Sequence, residues 1–310
     1  MISYRGFGKR YGRHAAVTAL DLEIEPGEAV ALLGPNGSGK TTTLKAAAGL
    51  LRPGSGEVLI GRPPRRASDP AARRILSYLP QRVSFPDALT GREVVEFYRR
   101  LRGTGGGRTA DVLRFASLNG AGDRAVGTYS GGMTQRLGLA VAMLPEAPVM
   151  LLDEPTAALD PDGLCAFYGV VERHRNRGQT ILFTSHQLGD AERLADRLAI
   201  LVEGRLVAVL SARALAERLS DRGIMRLRFA ASMPGVLETV RAVAPRAMWA
   251  GGEMVVPGPT AMRAEVVARL GAAGAAVTAL TVEEGRLDLL YRELVGGDAA
   301  PGGDAAGEAP

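Results

Sequence analysis

The feature that most constrains the fold is a glycine-rich stretch between an apolar run and a helical pattern. The apolar run covers residues 29–33, and the helical pattern covers Thr41–Leu50. Glycines in this position allow backbone N–H groups to turn inward around phosphate oxygens, where the helix N-terminus adds partial positive charge. The stretch has the full spacing Gly-x-x-x-x-Gly-Lys-Ser/Thr and reads Gly34, Pro35, Asn36, Gly37, Ser38, Gly39, Lys40, Thr41 and Thr42. The sequence therefore predicts a P-loop, with Lys40 on the β- and γ-phosphates of a nucleotide and Thr41 on Mg²⁺.

A second apolar run ends in two adjacent carboxylates. Residues 149–152 are all apolar, and Asp153 and Glu154 follow them directly. A short run of this kind is typical of a strand that is buried between neighbouring strands. We expect Asp153 to hold Mg²⁺ through its water shell, and Glu154 to act as the general base that polarises an attacking water. In a chain that already carries a P-loop, this pair indicates hydrolysis of the bound nucleotide.

Strand-like and helical segments alternate along the first two thirds of the chain. This order predicts an α/β fold with a mainly parallel sheet that is covered by helices on both faces, as in P-loop NTPases. Residues 87–145 are nearly all helical in pattern, and we interpret them as a helical insert. Beyond Ile224 the order is strand, helix, strand, strand, helix, strand and a last helix at Leu287–Leu294, which is the ferredoxin-like order for a small α+β domain.

These patterns predict three parts of the chain. The predicted ATP-binding domain covers residues 1–222, including the helical insert at about 87–145, and the C-terminal α+β domain covers residues 223–295. Residues 296–310 contain only glycine, alanine, proline and acidic residues, and we expect them to be disordered.

Composition narrows the classes of function. The net charge of +5 comes largely from scattered arginines, so we predict no nucleic-acid binding. The single cysteine, Cys165, excludes an intrachain disulfide and is predicted to be a packing residue, whereas His174 is predicted to lie at the surface. No stretch of about 18 uncharged apolar residues occurs, so the sequence predicts no membrane-spanning helix.

One further motif separates the families that share a P-loop. Ser130, Gly131 and Gly132 open a helical pattern, where Ser130 is suited to cap the helix and the helix N-terminus to face an anion. Four more residues stand at characteristic places along the chain: Tyr11, Gln81, Asp160 and His186. With these motifs in the same order, about residues 1–215 resemble the ATP-binding subunit of an ABC transporter.

The resemblance implies a role for each of these residues. Tyr11 would stack on the adenine of ATP, and Gln81 would ligate Mg²⁺ and sense a membrane subunit. His186 would contact the γ-phosphate and position water, and Asp160 would make contacts across a dimer. The signature Ser130, Gly131 and Gly132 would contact the γ-phosphate that the opposite subunit binds.

The resemblance also implies an assembly and a location. Two copies would form a homodimer that sandwiches two ATP molecules head to tail. ATP binding would close this dimer, and hydrolysis would open it. The motion would pass to an integral membrane subunit on a separate chain. The protein would then be peripheral, at the cytoplasmic face of the cell membrane.

Finer strings favour a subset of the family. The flanks Tyr129 and Met133 are similar to those of ATPases paired with ABC-2-type membrane subunits. Within this subset, the stretches at 78–80, 89–93, 135–140 and 287–291 resemble the ATPase that serves copper-site maturation of nitrous oxide reductase. Drug- and polysaccharide-export ATPases are the alternative, because they share most of these strings. The C-terminal methionines are predicted to pack in a core rather than to bind copper.

Other classes of protein stay open as alternatives. A soluble ABC-type ATPase of DNA repair would carry a long coiled coil between Gln81 and Ser130, and a translation ATPase would carry two ATPase domains. A P-loop kinase or GTPase would need neither the Ser130 motif nor His186. Residues 224–295 alone could instead be an interaction module with its own ligand.

Overall fold

The computed structural model describes residues 1–103, 108–118, 120–157, 159–185, 188–230, 235–283, 285 and 290. The chain divides into two compact units, Met1–Ala212 and Arg213–Pro310. The sequence predicts this boundary between residues 222 and 223, beyond a helix at Ala212–Ser220. That helix instead counts with the second unit, where the carbonyl of Leu219 accepts a hydrogen bond from the backbone N–H of Gly285. The predicted tail at 296–310 lies outside the described residues, as does the last predicted helix apart from Leu290, which is helical and buried.

The first unit contains strands and helices in alternation. Its strands are β1 (Ile2–Tyr11), β2 (His14–Ile24), β3 (Ala29–Leu33), β4 (Ser55–Ile60), β5 (Arg65–Arg66), β6 (Leu76–Leu79), β7 (Val149–Leu152), β8 (Thr180–Thr184), β9 (Arg197–Val202) and β10 (Arg205–Ser211). Its helices are α1 (Lys40–Ala47), α2 (Pro70–Arg74), α3 (Gly91–Arg102), α4 (Arg108–Phe115), α5 (Gly131–Met143), α6 (Pro161–Asn176) and α7 (Leu188–Leu194), with a 3₁₀ turn at Val126–Thr128.

The central sheet has six strands in the order β10-β9-β3-β8-β7-β6. All of them run parallel except the edge strand β10, which pairs antiparallel with β9. Every residue of β3, β7 and β8 is buried, as expected for strands that are covered on both faces. Helices α1, α5, α6 and α7 pack against this sheet. The predicted α/β fold with a mainly parallel sheet is therefore confirmed.

A second sheet was not predicted as a separate layer. It is antiparallel, with the strand order β2-β1-β4-β5. Strand β1 runs to Tyr11 with shifts in register and forms a hairpin with β2. Large side chains such as Tyr4, Phe7 and Leu20 form one buried cluster with Leu44 of α1. This sheet therefore packs onto the P-loop helix and helps to fix its place.

The helical insert has its own apolar core, built from α3, α4 and α5. Helix α3 begins with a capping box. The hydroxyl Oγ1 of Thr90 accepts a hydrogen bond from the backbone N–H of Glu93 at 3.2 Å, and Oε2 of Glu93 accepts one from the backbone N–H of Thr90 at 2.8 Å. Two otherwise unpaired N–H groups are satisfied in this way, so the start of α3 is fixed.

The second unit is a small α+β fold. It contains α8 (Ala212–Ser220), β11 (Ile224–Phe229), α9 (Val236–Arg241), β12 (Met248–Ala250), β13 (Glu253–Pro257), α10 (Thr260–Ala272) and β14 (Val277–Glu283). The strand order β12-β13-β11-β14 is that of a ferredoxin-like sheet. Met225 and Met254 lie in its core, as predicted, and Met262 packs against that core, whereas Met248 is exposed. Met233 lies outside the described residues. In the part of the chain that the structure describes, no helix is long and apolar enough to span a membrane.

Candidate nucleotide site

Four parallel strands bring separate stretches of the sequence to one edge of the central sheet. The P-loop follows β3, Gln81 comes shortly after β6, Asp153 follows β7, and Ser185 follows β8. Because the carboxyl ends of neighbouring parallel strands meet at the same edge, these stretches lie together there. This edge is the place where ligands bind in open α/β sheets, so we take it as the candidate site.

The P-loop has a backbone that only glycine can adopt at two positions. Gly34 has φ 151° and Gly39 has φ 100°. A Cβ atom on Gly34 would lie 2.1 Å from the carbonyl oxygen of Leu201, and one on Gly39 would lie 2.5 Å from that of Ala16. Gly39 also stands at the N-cap of α1, where it contributes no capping side chain. The N-terminal amides of α1 are therefore left to an anionic ligand.

Lys40 is held inside the loop that precedes it. Its side chain is only 5% exposed, and Nζ donates to the carbonyl oxygens of Gly34 at 2.8 Å and Pro35 at 3.0 Å. Burial lowers the pKa of the Lys40 ammonium, while the carboxylates of Glu154 and Asp153 oppose that shift. The cation is thus kept at the P-loop by weak neutral acceptors, which a phosphate group would replace with stronger, charged ones.

Asp153 is a buried carboxylate with one satisfied oxygen. Its Oδ1 accepts hydrogen bonds from Oγ1 of Thr41 at 3.1 Å and from Oγ1 of Thr184 at 2.8 Å. Its Oδ2 is buried and has no hydrogen-bond partner among the described residues. Burial raises the pKa of Asp153, although the hydrogen bonds from Thr184 and Thr41 oppose the rise. An orphaned carboxylate oxygen beside a threonine hydroxyl fits a hard, oxygen-preferring cation such as Mg²⁺.

Glu154 lies in a turn with an unusual backbone. Its φ is 46°, in the left-handed region that residues other than glycine seldom adopt. Its backbone N–H donates to Oγ1 of Thr184 at 2.7 Å, and its Oε2 accepts a hydrogen bond from Nε2 of Gln81 at 2.8 Å. Two residues predicted from distant stretches, Gln81 and Glu154, are therefore in direct contact.

Thr184 is a site residue that the sequence analysis missed. It ends β8 with its hydroxyl buried between Asp153 and the backbone of Glu154. The available signal was a hydroxyl residue at the end of an apolar strand that neighbours both motif strands. Without the strand order β3-β8-β7, that position could not be recognised.

The signature residues lie at the start of a helix. Ser130 is the N-cap of α5, and its hydroxyl accepts a hydrogen bond from the backbone N–H of Met133 at 3.2 Å. Gly131 and Gly132 form the first turn, and Gly131 is exposed. The predicted cap geometry is present in the structure, and the exposed turn can meet a ligand from outside the chain.

Tyr11 and Asp160 make their described contacts with residues outside the P-loop. Tyr11 is 51% exposed at the end of β1, with Nζ of Lys9 at 5.6 Å from its ring centroid. Asp160 caps α6 by accepting a hydrogen bond from the backbone N–H of Gly163 at 2.9 Å. Among the described residues, no hydrogen bond joins Ser130, Tyr11 or Asp160 to the P-loop. His186 lies outside the described residues.

Comparison with known proteins gives a consistent result. A family model described as "ABC transporter" matches residues 17–157. The chain is 40% identical over 222 residues to the Nod factor export ATP-binding protein I of Burkholderia orbicola, covering 70% of this chain and 72% of that protein. It is 39% identical over 211 residues to an uncharacterised ABC transporter ATP-binding protein of Bacillus subtilis, covering 66% of this chain and 69% of the relative.

A solved structure agrees with the sequence comparisons. The structure is a dimeric post-hydrolysis state of an ATP-binding cassette bound to ADP and phosphate. It aligns with a TM-score of 0.63 at 26% identity, covering 69% of this chain and 99% of that one. The aligned share of this chain is about the length of the first unit.

Proposed function

This chain belongs to the ABC transporter family as an ATP-binding subunit that hydrolyses ATP, and from that membership we propose that it powers export through a separate integral membrane subunit. The observation that carries the proposal is the meeting of Lys40, Asp153, Gln81 and Glu154 at one sheet edge. The direction of transport is supported by the 40% identical relative, which is a Nod factor export protein. The substrate named for that relative is not proposed for this chain.

We propose that the cluster works on the phosphate end of ATP. Lys40 would leave the carbonyls of Gly34 and Pro35 for the β- and γ-phosphates, while the amides of the P-loop and of α1 surround the same phosphates. Thr41, Asp153 and Gln81 are the residues that would hold Mg²⁺. When bound, this ion neutralises charge on the phosphate oxygens.

Glu154 is proposed as the general base. Its carboxylate would accept the proton of the attacking water, and its position depends on Thr184 and on the Gln81 amide. His186 is proposed to contact the γ-phosphate and to position the same water. The contact between Gln81 and Glu154 ties the base to the segment that would sense the membrane subunit, so a movement of Gln81 changes the environment of Glu154.

A second copy would complete each site. We propose that Ser130, Gly131 and Gly132 of one copy face the ATP held by the P-loop of the other, with Asp160 at the contact between them. The exposed first turn of α5 supports this arrangement, because a helix N-terminus carries partial positive charge that attracts an anion. Tyr11, exposed at the end of β1, is proposed to stack on adenine.

The proposed location follows from the proposed partner. The protein would be peripheral, at the cytoplasmic face of the membrane that contains the transport subunit, and it would bind no nucleic acid. The copper-site maturation function, which the resemblance at residues 78–80, 89–93, 135–140 and 287–291 suggests, is the narrower alternative. The core that holds Met225 and Met254 gives it no support, because both side chains are buried among apolar residues there.

The test of this function uses the P-loop lysine. We expect the wild-type chain to hydrolyse ATP and, after solubilisation of membranes, to co-purify with an integral membrane protein. Lys40→Ala should lower ATP hydrolysis about 100-fold or more, because it removes a charge that is positioned for the phosphates. Lys45→Ala is the control for loss of a lysine charge, since Lys45 lies five residues further along α1 and is exposed. Normal hydrolysis by Lys40→Ala, or an ATPase that co-purifies with no membrane protein, would contradict the proposal.

A further inference from the structure

A buried carboxylate outside the nucleotide cluster joins three elements of the first unit. Asp190 lies in α7 and is only 3% exposed. Its Oδ2 accepts a hydrogen bond from Oγ1 of Thr156 at 2.5 Å, and its Oδ1 accepts one from the phenol of Tyr168 at 2.6 Å. Hydroxyl donors therefore satisfy both oxygens, which offsets the cost of burying a carboxylate.

One of the two donors lies beside Glu154 in the sequence, and the other lies in helix α6. Thr156 lies two residues after Glu154, in the turn that follows β7. Tyr168 lies within α6, and the guanidinium carbon of Arg193 stands 4.2 Å from its ring centroid. Burial, together with the hydrogen bond to Asp190, raises the pKa of Tyr168 to about 12. The phenol therefore stays a donor at neutral pH, and the contact anchors α6 to α7.

The turn that carries Glu154 is held from two sides. At Glu154, the backbone N–H donates to Oγ1 of Thr184 at the end of β8. At Thr156, the hydroxyl donates to Asp190 of α7. A residue with φ 46° keeps that conformation only when its surroundings fix it, so both restraints bear on the position of Glu154. Helix α7 begins directly after residues 186–187, the segment that contains the predicted His186.

We propose that Asp190 is a positioning residue for ATP hydrolysis: through Thr156, it fixes the turn that carries Glu154 to the helix that follows the His186 segment. The inference rests on the proposed function, because it takes Glu154 as the base. Asp190 acts on this turn and not on ATP. Its contact with Thr156 should therefore affect kcat much more than the KM for ATP.

A matched pair at residue 156 tests the proposal. Thr156→Val keeps the size of the side chain and removes the hydroxyl donor, whereas Thr156→Ser keeps the donor. We expect Thr156→Val to lower kcat about tenfold with KM for ATP within about twofold, because the base is displaced while the P-loop is intact. Thr156→Ser should keep kcat within about twofold of the wild type, since the serine hydroxyl can make the same hydrogen bond.

Two further variants separate positioning from general loosening. Tyr168→Phe removes the other hydrogen bond to Asp190 and should lower Tm with kcat near that of the wild type. In the double variant Thr156→Val with Asp190→Ala, kcat should be no lower than in Asp190→Ala alone, because Asp190→Ala already removes the acceptor of the Thr156 contact.

The activity of the wild-type chain tests the proposed function, and the variants test the positioning role of Asp190. A wild-type chain without ATP hydrolysis would overturn the proposed function itself, before any variant is compared. With an active wild type, unchanged kcat in Thr156→Val would overturn the positioning role, and so would equal losses in Thr156→Val and Thr156→Ser. An equal loss in Tyr168→Phe would show that any loosening of α7 lowers kcat, and would overturn it too.

Discussion

Two charged residues in the nucleotide cluster are buried at a cost to the stability of the folded chain. Burial raises the pKa of Asp153 and lowers that of Lys40, so each group carries its charge less readily than it would in water. The orphaned Oδ2 of Asp153 adds to this cost. Buried charged groups with perturbed pKa values are typical of functional sites. A bound ligand would supply the charges and hydrogen bonds that stabilise them.

The first prediction concerns Asp153. Asp153→Asn keeps the shape of the side chain and removes the buried charge, so we expect Tm of the nucleotide-free chain to rise by a few degrees while ATP hydrolysis is lost. The difference in Tm should shrink as the pH falls through the raised pKa, because Asp153 of the folded wild type is then neutral as well. Thermal melts of both proteins from neutral to acidic pH measure this. A lower Tm for the variant at neutral pH would contradict it.

Some single residues could not be predicted from the sequence. His174 was expected at the surface, but it is buried, with Nδ1 against the side-chain amide of Gln179. Cys165 was expected in a core, but it is exposed. Both residues lie in α6. The apolar periodicity there indicates a helix, but it does not show which of its side chains the loop before β7 covers. The motif residues of the P-loop were predictable because their function requires a fixed spacing of residue types.

At the scale of elements, the start of α5 should act in trans. Glu154→Gln removes the base and a negative charge near the γ-phosphate, so we expect ATP hydrolysis to fall by about 10²–10⁴-fold and a dimer to accumulate with ATP. Adding Ser130→Arg should prevent that dimer, because it places bulk and charge at the exposed turn of α5. Light scattering with saturating ATP measures both states. A dimer that forms equally well with arginine at this position would exclude the proposed contact.

The control for this experiment is Arg114→Ala in α4. This residue is exposed and belongs to the same helical insert, so its loss should leave the ATP-dependent dimer unchanged. Glu154→Gln with a normal rate of hydrolysis would show that Glu154 is not the base, whatever the state of association.

The sequence predicted the secondary-structure elements better than it predicted which elements lie next to each other. Strands β3 and β7 have the predicted bounds, residues 29–33 and 149–152, because an apolar run with a break at each end marks both of them. The antiparallel sheet that contains β1 and β2 was not predicted, because alternation of apolar and polar residues shows that a strand is half buried but not which sheet it joins. Thr184 was missed for the same reason, since its role depends on strand order.

At the scale of the whole molecule, the two units should be separable. We propose that residues 1–212 form the ATP-binding domain and that the second unit is not needed for nucleotide binding. A chain of residues 1–212 should bind a fluorescent ATP analogue with a Kd within about twofold of the full chain, since every described residue of the nucleotide cluster lies before Ala212. Residues 213–310 alone are the control and should not bind it. A folded first unit without ATP binding would contradict the proposal.

The close approach of neighbouring strands to the P-loop also limits how the gene can vary. A Cβ atom on Gly34 would meet the carbonyl oxygen of Leu201 at 2.1 Å, whereas one on Gly178, which follows α6, meets no atom of the described residues within 4 Å. Gly178 has φ 72°, which asparagine also adopts. Only the backbone conformation therefore restricts which residues can replace Gly178. In a saturation library selected for transport, asparagine should survive at position 178, and no codon but glycine should survive at position 34.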